Sequence, residues 1–301
     1  MFESYPHYEY LLASLQLGFA MLGMGALLGP RDFLRVLSSP RALLLGLAAQ
    51  LLLVPLIAAS LGWTLAVPAG IAAGLVLVAA VPGGTFSNIA TYFGRGNIAL
   101  SIALTAITTA GALVTTPLLL HLLAGAHLPP DFELPIGRMA YEIGVALLIP
   151  LGAGMLLGPR LGQGRERFAH WCIRISLGLI CVMALGAGGS GRLDPRDYGV
   201  LAPLAMFLLA LCSQQAALLA SRVARLAAPD RLAIGIEVTI RNTNLAILIK
   251  ASLFPAVVGV VDPIGDGMFF VALLYGGFAL LLAVPHILLH RRRQALRLTP
   301  R

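Results

Sequence analysis

The sequence is poor in charged residues and in cysteine, and each of these shortages excludes certain classes of protein or site. Only 11% of its 301 residues are charged, whereas a soluble domain carries about a quarter. A soluble globular domain is therefore excluded. A nucleic-acid-binding domain is excluded as well, because the net charge of +8 is not gathered into a dense basic patch. The three cysteines all lie in hydrophobic runs, and without CxxC or HExxH spacing they predict neither disulfides nor a zinc site.

Long hydrophobic runs account for most of the chain. Hydrophobic residues make up 58% of it, and a helix needs about 20 apolar residues to cross a bilayer. The first run is predicted to be a true span, because MFESYPHYEY lacks the charge and cleavage site of a signal peptide. We predict an all-α polytopic membrane protein with nine transmembrane helices, at 9–28, 41–61, 66–94, 97–124, 136–158, 168–187, 198–223, 229–253 and 267–289.

The arginines predict the orientation of these spans. Sixteen lie in the C-terminal tail and in the loops after spans one, three, five and seven, whereas the opposite loops hold three, Arg138, Arg192 and Arg196. Basic loops stay in the cytoplasm. The chain is therefore predicted to be a multi-pass protein of the cell (inner) membrane, with the N-terminus outside and the C-terminus cytoplasmic.

Two opposite charges lie in the middle of a predicted span. Glu237 and Arg241 are four residues apart in span eight and are followed by Asn242, Thr243 and Asn244. A charged side chain at a helix centre costs about 2.5–3.5 kcal/mol on insertion scales, and such residues usually mark a transport pathway. The alternative is a structural i,i+4 ion pair that fixes helix packing.

Span three contains a matching interruption. Pro82 removes a backbone donor, Gly83 and Gly84 tolerate non-helical angles, and polar residues follow at once. A simple kink is the alternative, but a kink does not require Thr, Ser and Asn beyond it. Interrupted helices at matching places in two halves predict an inverted-repeat transporter, here with four plus five helices. Their helix N-termini favour an anion.

Oxygen-bearing side chains surround these interruptions. Ser101 and Thr105 share one face of span four, although hydroxyls in helices commonly bond to their own backbone. Together with Ser87, Asn88 and Glu237 they form a set of five hard ligands. Such ligands suit a small alkali cation better than a transition metal.

At these residues the sequence resembles the bile acid:sodium symporter family, the solute carrier family 10 type with its bacterial homologues. The most specific stretches are Pro82-Gly-Gly-Thr-Phe-Ser-Asn88 and Arg95-Gly96-Asn97-Ile-Ala-Leu-Ser101. The other matching positions are Gly23-Met24-Gly25, Pro30, Asp32, Gln50, Pro55, Thr91-Tyr92, Thr105, Pro117, Glu237 and Arg241-Asn242. The resemblance implies two discontinuous helices that cross at mid-membrane. It also implies a core domain (41–124 and 198–289) and a panel domain (9–28, 136–158 and 168–187), with the substrate between them.

The resemblance also implies sodium as the coupling ion. Its first sodium site would consist of Ser87, Asn88, Ser101, Thr105 and Glu237. Its second would use Gln50, backbone oxygen near Val238 and a glutamine four residues after Glu237, where this chain has Arg241. A guanidinium has no acceptor atom and cannot bind sodium. We therefore expect symport with one sodium, and expect Arg241 to replace the second cation, neutralise Glu237 and hydrogen-bond to Gln50.

The substrate is expected to be a small organic anion, either a small carboxylate or a bile-acid-like or steroid-like molecule. Its expected contacts are Thr85, Arg241, Asn242 and Asn244. Tyr275, and Gln214 and Gln215 in span seven, are further candidates that could equally be packing residues. Membrane lipid is expected around a monomer or weak homodimer.

Three other functions remain as alternatives. One is a sodium-independent anion permease, by proton coupling, uniport or efflux, with Arg241 as the counter-charge of the anion. An intramembrane enzyme is disfavoured, because no histidine lies at a comparable depth to Ser87 or Ser101. A receptor or scaffold would leave both interruptions unexplained.

Overall fold

The computed structural model describes residues 5–29, 40–129, 131–189, 195–257 and 260–298. Over these ranges the chain is helical and contains no strand beyond one isolated bridge. The helices of the first half are α1 Tyr5–Leu27, α2 Pro40–Ala48, α3 Val54–Thr64, α4 Ala69–Ala80, α5 Thr85–Phe93 and α6 Ile98–Ala124. Those of the second half are α7 Ile136–Ile143, α8 Ile149–Leu161, α9 Arg165–Gly189, α10 Pro195–Tyr198, α11 Leu201–Val223, α12 Ala228–Thr239, α13 Thr243–Leu253 and α14 Pro263–Leu298.

Several helical stretches are long and apolar enough to cross a membrane. Among the described residues there are six: His7–Leu27, Pro40–Thr64, Ile98–His127, Ile136–Gly189, Leu201–Val223 and Pro263–Arg292. Ile136–Gly189 covers two of the predicted spans, and Gly162, with φ +50°, lies between α8 and α9. These stretches agree with an all-α polytopic membrane protein. The count of nine spans and the orientation of the termini stay predictions, and Pro30 and Asp32 lie outside the described residues.

The predicted spans 66–94 and 229–253 are each divided into two short helices. α4 ends at Ala80 and α5 begins at Thr85, and likewise α12 ends at Thr239 and α13 begins at Thr243. α4 is buried from Gly70 to Ala80, because it is apolar on every face and packs between α3, α6 and α14. The first interruption therefore lies inside the helix bundle.

Glycine allows α1 and α8 to pack with their backbones in contact. A methyl group added at Gly25 would lie 2.0 Å from the carbonyl oxygen of Leu151, and one added at Gly154 would lie 2.3 Å from that of Leu22. Small residues at membrane helix interfaces permit such close approach. α1 packs on its other side against α9, so these three helices form one layer.

Gly154→Ala is expected to force α1 and α8 apart. Overpacking against an immovable backbone costs about 1–3 kcal/mol, so the melting temperature in detergent should fall by several degrees. Gly152→Ala on the same helix is the matched control, because no atom lies within 4 Å of the added methyl group. Equal melting temperatures for the two variants would contradict the close packing.

Candidate functional site

The two interrupted helices meet through their extended segments. Gly83 and Arg241 form an isolated antiparallel bridge. The amide of Gly84 donates to the carbonyl oxygen of Ile240 at 3.2 Å, and that of Asn242 donates to the carbonyl oxygen of Pro82 at 2.9 Å. In hydrocarbon, unpaired backbone groups cost several kcal/mol. Backbone groups that lose their helical partners at one interruption are therefore hydrogen-bonded to backbone groups of the other interruption.

Glu237 lies directly against this crossing. Its carboxyl is fully buried, and a methyl group added at Gly83 would lie 2.0 Å from Glu237 Oε1. The site therefore requires glycine at position 83, because any side chain there would occupy the place of the carboxylate.

Three side chains, those of Asn88, Ser101 and Thr105, bring their oxygens together at this carboxylate. The Ser101 hydroxyl lies 3.0 Å from Glu237 Oε2 and 2.8 Å from Asn88 Oδ1. The Thr105 hydroxyl lies 2.5 Å from Glu237 Oε1, 3.3 Å from Asn88 Oδ1 and 3.0 Å from the Ser101 carbonyl oxygen. Two hydroxyls supply only two protons. The cluster therefore has more oxygen acceptors than donors, which is the chemistry of a site for a small hard cation.

The remaining first-site candidate, Ser87, lies in the first turn of α5. Its hydroxyl donates to the Gly84 carbonyl oxygen at 2.6 Å, and it also lies beside the Glu237 carboxyl. All five side chains predicted for the first sodium site therefore lie around one point, where α5, α6 and α12 meet. No group of three or more His, Cys, Asp or Glu side chains suited to a metal ion occurs in the described ranges.

Arg241 makes the expected hydrogen bond to Gln50, but its other donors reach the C-terminal end of α4. Its Nη1 donates to Gln50 Oε1 at 3.1 Å, Nε to the Val78 carbonyl oxygen at 3.4 Å, and Nη2 to the carbonyl oxygens of Ala79 and Val81. Four of its five N–H donors are thus directed at protein acceptors.

No ion pair within 4.0 Å joins Arg241 to Glu237 in the described chain. The i,i+4 pairing fails because α12 ends at Thr239, so the guanidinium points to the C-terminal end of α4 instead. There it compensates the negative end of the helix dipole and three carbonyl groups. Gln50 lies in a π-helical turn, Ala49–Leu53, and Val238 is fully buried on α12.

The candidate substrate contacts surround the same crossing. Asn242 is buried and caps α13 by accepting from the Leu245 amide, while its Nδ2 has no partner in the described structure. Asn244 reaches a narrow cavity of about 20 Å³ between α1, α9 and the beginnings of α5 and α13. Thr85 begins α5, but its side chain lies outside the described residues. The cavity is lined by Ala20, Phe86, Ile89, Ile173, Ser176, Leu177 and Asn244.

The other three candidates lie on α11 and α14. The hydroxyl of Tyr275 donates to the Thr239 carbonyl oxygen at 3.1 Å, so this buried ring supports the end of α12. Gln214 is buried in α11, whereas Gln215 is exposed and lines a separate cavity near the end of that helix.

Sequence reasoning missed a buried ion pair between distant helices. Lys250 Nζ on α13 lies 2.6 Å from Glu9 Oε1 on α1, and both side chains are 1% exposed. The Lys250 ammonium also lies over the ring of Phe269, 5.3 Å from its centroid. The available signal was that Lys250, like Arg231 and Arg241, is a basic residue inside predicted span eight, and that it lies near the end of this span. This pair ties α1 to the second interrupted helix in the observed conformation.

Gly83→Ala is expected to displace the Glu237 carboxylate while leaving the fold intact, because the clash involves the end of a side chain. We expect sodium-dependent uptake to fall about 10-fold or more, which corresponds to the loss of one or two charged hydrogen bonds. Gly277→Ala, where the added methyl group meets nothing within 4 Å, is the control. Unchanged sodium affinity in the Gly83 variant, measured by uptake against sodium concentration, would contradict this geometry.

The structure is a bundle of apolar helices in which two interrupted helices cross at a buried carboxylate. This arrangement is typical of the class of secondary membrane transporters. The chain belongs to the sodium bile acid symporter family, because residues 14–190 match that family. It is 32% identical over 239 residues to the "Uncharacterized sodium-dependent transporter YocS" of Bacillus subtilis (strain 168), covering 79% of this chain and 73% of that protein.

Two plant proteins are also similar. The "Probable sodium/metabolite cotransporter BASS2, chloroplastic" of Oryza sativa subsp. japonica is 36% identical over 183 residues, 61% of this chain and 42% of that protein. The "Probable sodium/metabolite cotransporter BASS1, chloroplastic" of Arabidopsis thaliana is 34% identical over 237 residues, 78% of this chain and 57% of that protein. The chain thus spans about half the length of these chloroplast relatives.

Proposed function

We propose that the protein is a secondary active transporter that carries a small organic anion across the cell membrane together with sodium. The observation that carries this proposal is the oxygen cluster around Glu237, where acceptors outnumber protons. Ser87, Asn88, Ser101 and Thr105 would supply the other ligands. The family and the names of its relatives support sodium as the coupling ion, and a transport role accounts for the protein without enzymatic chemistry.

One sodium per cycle is the proposed stoichiometry. The Arg241 guanidinium is a fixed positive charge beside Gln50, one of the groups that would bind a second cation. A fixed charge returns with the protein and stores no energy from the membrane potential, whereas each transported charge is worth about 2.3 kcal/mol per 100 mV. Symport of one sodium with one monoanion is therefore electroneutral.

The substrate would bind between two moving parts. In this proposal α1, α8 and α9 belong to the panel, and the crossing helices belong to the core. The cavity beside Asn244 lies between them and, at about 20 Å³, is too small in this conformation for an organic anion. The N-termini of α5 and α13 approach it and favour a carboxylate, and the Nδ2 of Asn242 is a buried donor for the same group.

A sodium-independent anion permease is the weaker proposal. It requires Arg241 to face the anion, but four of the five guanidinium donors are directed at Gln50 and the backbone of α4. A guanidinium committed in this way acts as a replacement cation better than as a substrate ligand.

Uptake into proteoliposomes tests the proposal. A panel of labelled carboxylates, keto acids and steroid sulfates is offered with and without an inward sodium gradient, and protein-free liposomes serve as the control. We expect at least one acid to accumulate only with the gradient and without inward current. Uptake that ignores sodium and follows a proton gradient would overturn sodium coupling, and an inward current would overturn the one-to-one stoichiometry.

A further inference from the structure

A second cavity, of about 220 Å³, opens between α11 and α14 at the arginine-rich end of the bundle. It lies away from the oxygen cluster, near the C-terminal ends of both helices. Its lining residues are Gln215, Leu218, Arg222, His286, Leu289 and His290. Nothing in sodium or substrate binding accounts for this cavity.

The polar side of this cavity is suited to an anion. Arg222 from one helix and His286 and His290 from the other bring N–H donors to the same space, Gln215 adds an amide, and none of the six lining residues is acidic. A guanidinium offers several donors in one plane, which matches the oxygens of a phosphate group. Arg291 continues the positive charge along α14.

The apolar side of the cavity indicates how the anion arrives. Leu218 and Leu289 share the lining with the basic groups. Beside them Leu219 is 60% exposed and Leu288 is 59% exposed. On a membrane helix, exposed leucines face hydrocarbon, so acyl chains can lie along these helices while a headgroup occupies the cavity. A soluble anion would gain nothing from the leucines.

α12, the helix that carries Glu237, packs against two of the residues that line this cavity. An ideal Cβ at Gly235 would lie 3.0 Å from Leu218 Cδ2 and 3.8 Å from His286 Nε2. An occupant of the cavity would therefore contact Leu218 and His286, two side chains that pack against α12 at Gly235.

We propose that this cavity binds the phosphate headgroup of an anionic phospholipid, with Arg222, His286 and His290 as its donors. Basic pockets between membrane helices at the cytoplasmic surface are suited to such lipids. The site is independent of the proposed transport function, since it would bind lipid whether or not the protein carries sodium.

The test is to titrate the purified full chain, in a non-ionic detergent, with lipid and to measure the melting temperature of the protein at each lipid concentration. We expect phosphatidylglycerol to raise the melting temperature with saturation, and phosphatidylcholine and inorganic phosphate to have no effect. Arg222→Gln should raise the half-saturating phosphatidylglycerol concentration about fivefold, the contribution of one basic side chain near a membrane surface. Arg225→Gln, at an exposed arginine three residues further on and outside the cavity, should leave it unchanged.

Leu289→Trp provides a second variant that retains every charge, at a position that is 53% exposed and so tolerant of a larger side chain. It fills the cavity and should abolish the phosphatidylglycerol effect. Equal losses in the Arg222 and Arg225 variants would overturn the proposal in favour of diffuse surface charge. A response to inorganic phosphate that matches the lipid response would overturn it in favour of a soluble anion.

Discussion

We expect Glu237→Gln to abolish sodium-driven uptake while the protein still folds. The amide has nearly the shape of the carboxylate and keeps contact with Ser101 and Thr105, but it removes the only negative charge of the oxygen cluster. Removing one partner of a buried charge interaction costs about 3–5 kcal/mol, so we expect initial uptake rates to fall about 100-fold or more. Sodium should also no longer raise the melting temperature of this variant.

Glu142→Gln is the matched control for this result. Glu142 is also a buried glutamate of the bundle, but it pairs with Arg138 on α7 at 2.9 Å, outside the crossing. Its replacement should leave the sodium dependence unchanged. Thr105→Val, which keeps the shape of the side chain and removes its hydroxyl, should give an intermediate loss of sodium affinity. Sodium-dependent uptake by Glu237→Gln at the wild-type rate would refute the site.

We expect Arg241→Gln to change the number of sodium ions that move with each substrate. The replacement removes the fixed cation and supplies an amide oxygen beside Gln50, so we expect the sodium Hill coefficient to rise from one towards two. Transport of a monoanion then carries net charge. With about 2.3 kcal/mol per charge per 100 mV, an inside-negative potential of that size should increase accumulation about 50-fold in the variant and hardly at all in the wild type.

Arg241→Gln should also destabilise the protein, and sodium should partly restore the lost stability. The carbonyl oxygens of Val78, Ala79 and Val81 lose their donor, and each unsatisfied buried group costs about 1–3 kcal/mol. Sodium chloride should therefore raise the melting temperature of the variant more than that of the wild type, with potassium chloride as the ionic-strength control. Arg138→Gln, which replaces an exposed arginine, is the matched control for Arg241→Gln. An unchanged Hill coefficient together with electroneutral transport would contradict the role assigned to Arg241.

The sequence alone was enough to predict features that depend on neighbouring residues. Low charge and long apolar runs predict membrane helices, and Pro82 with two glycines predicts the end of α4, because a missing N–H donor and flexible backbone act locally. Oxygen-bearing side chains at Ser87, Asn88, Ser101 and Thr105 predict the kind of ligand, since residue type alone determines hardness and charge.

Local spacing did not determine which of these groups meet. The family resemblance implied the set around Glu237 and the bond from Arg241 to Gln50, whereas the distances, and the other partners of Arg241, depend on the tertiary structure. The partners of Arg241 lie 160 or more residues away, and those of Glu237 on α6 lie 132 and 136 residues away. Sequence spacing suggested an ion pair between Glu237 and Arg241, but the end of α12 turns the guanidinium towards α4. The pairing of Glu9 with Lys250 across 241 residues was likewise beyond any local pattern. Side-chain chemistry is a local property of the sequence, whereas the distance between two charges depends on how the helices pack.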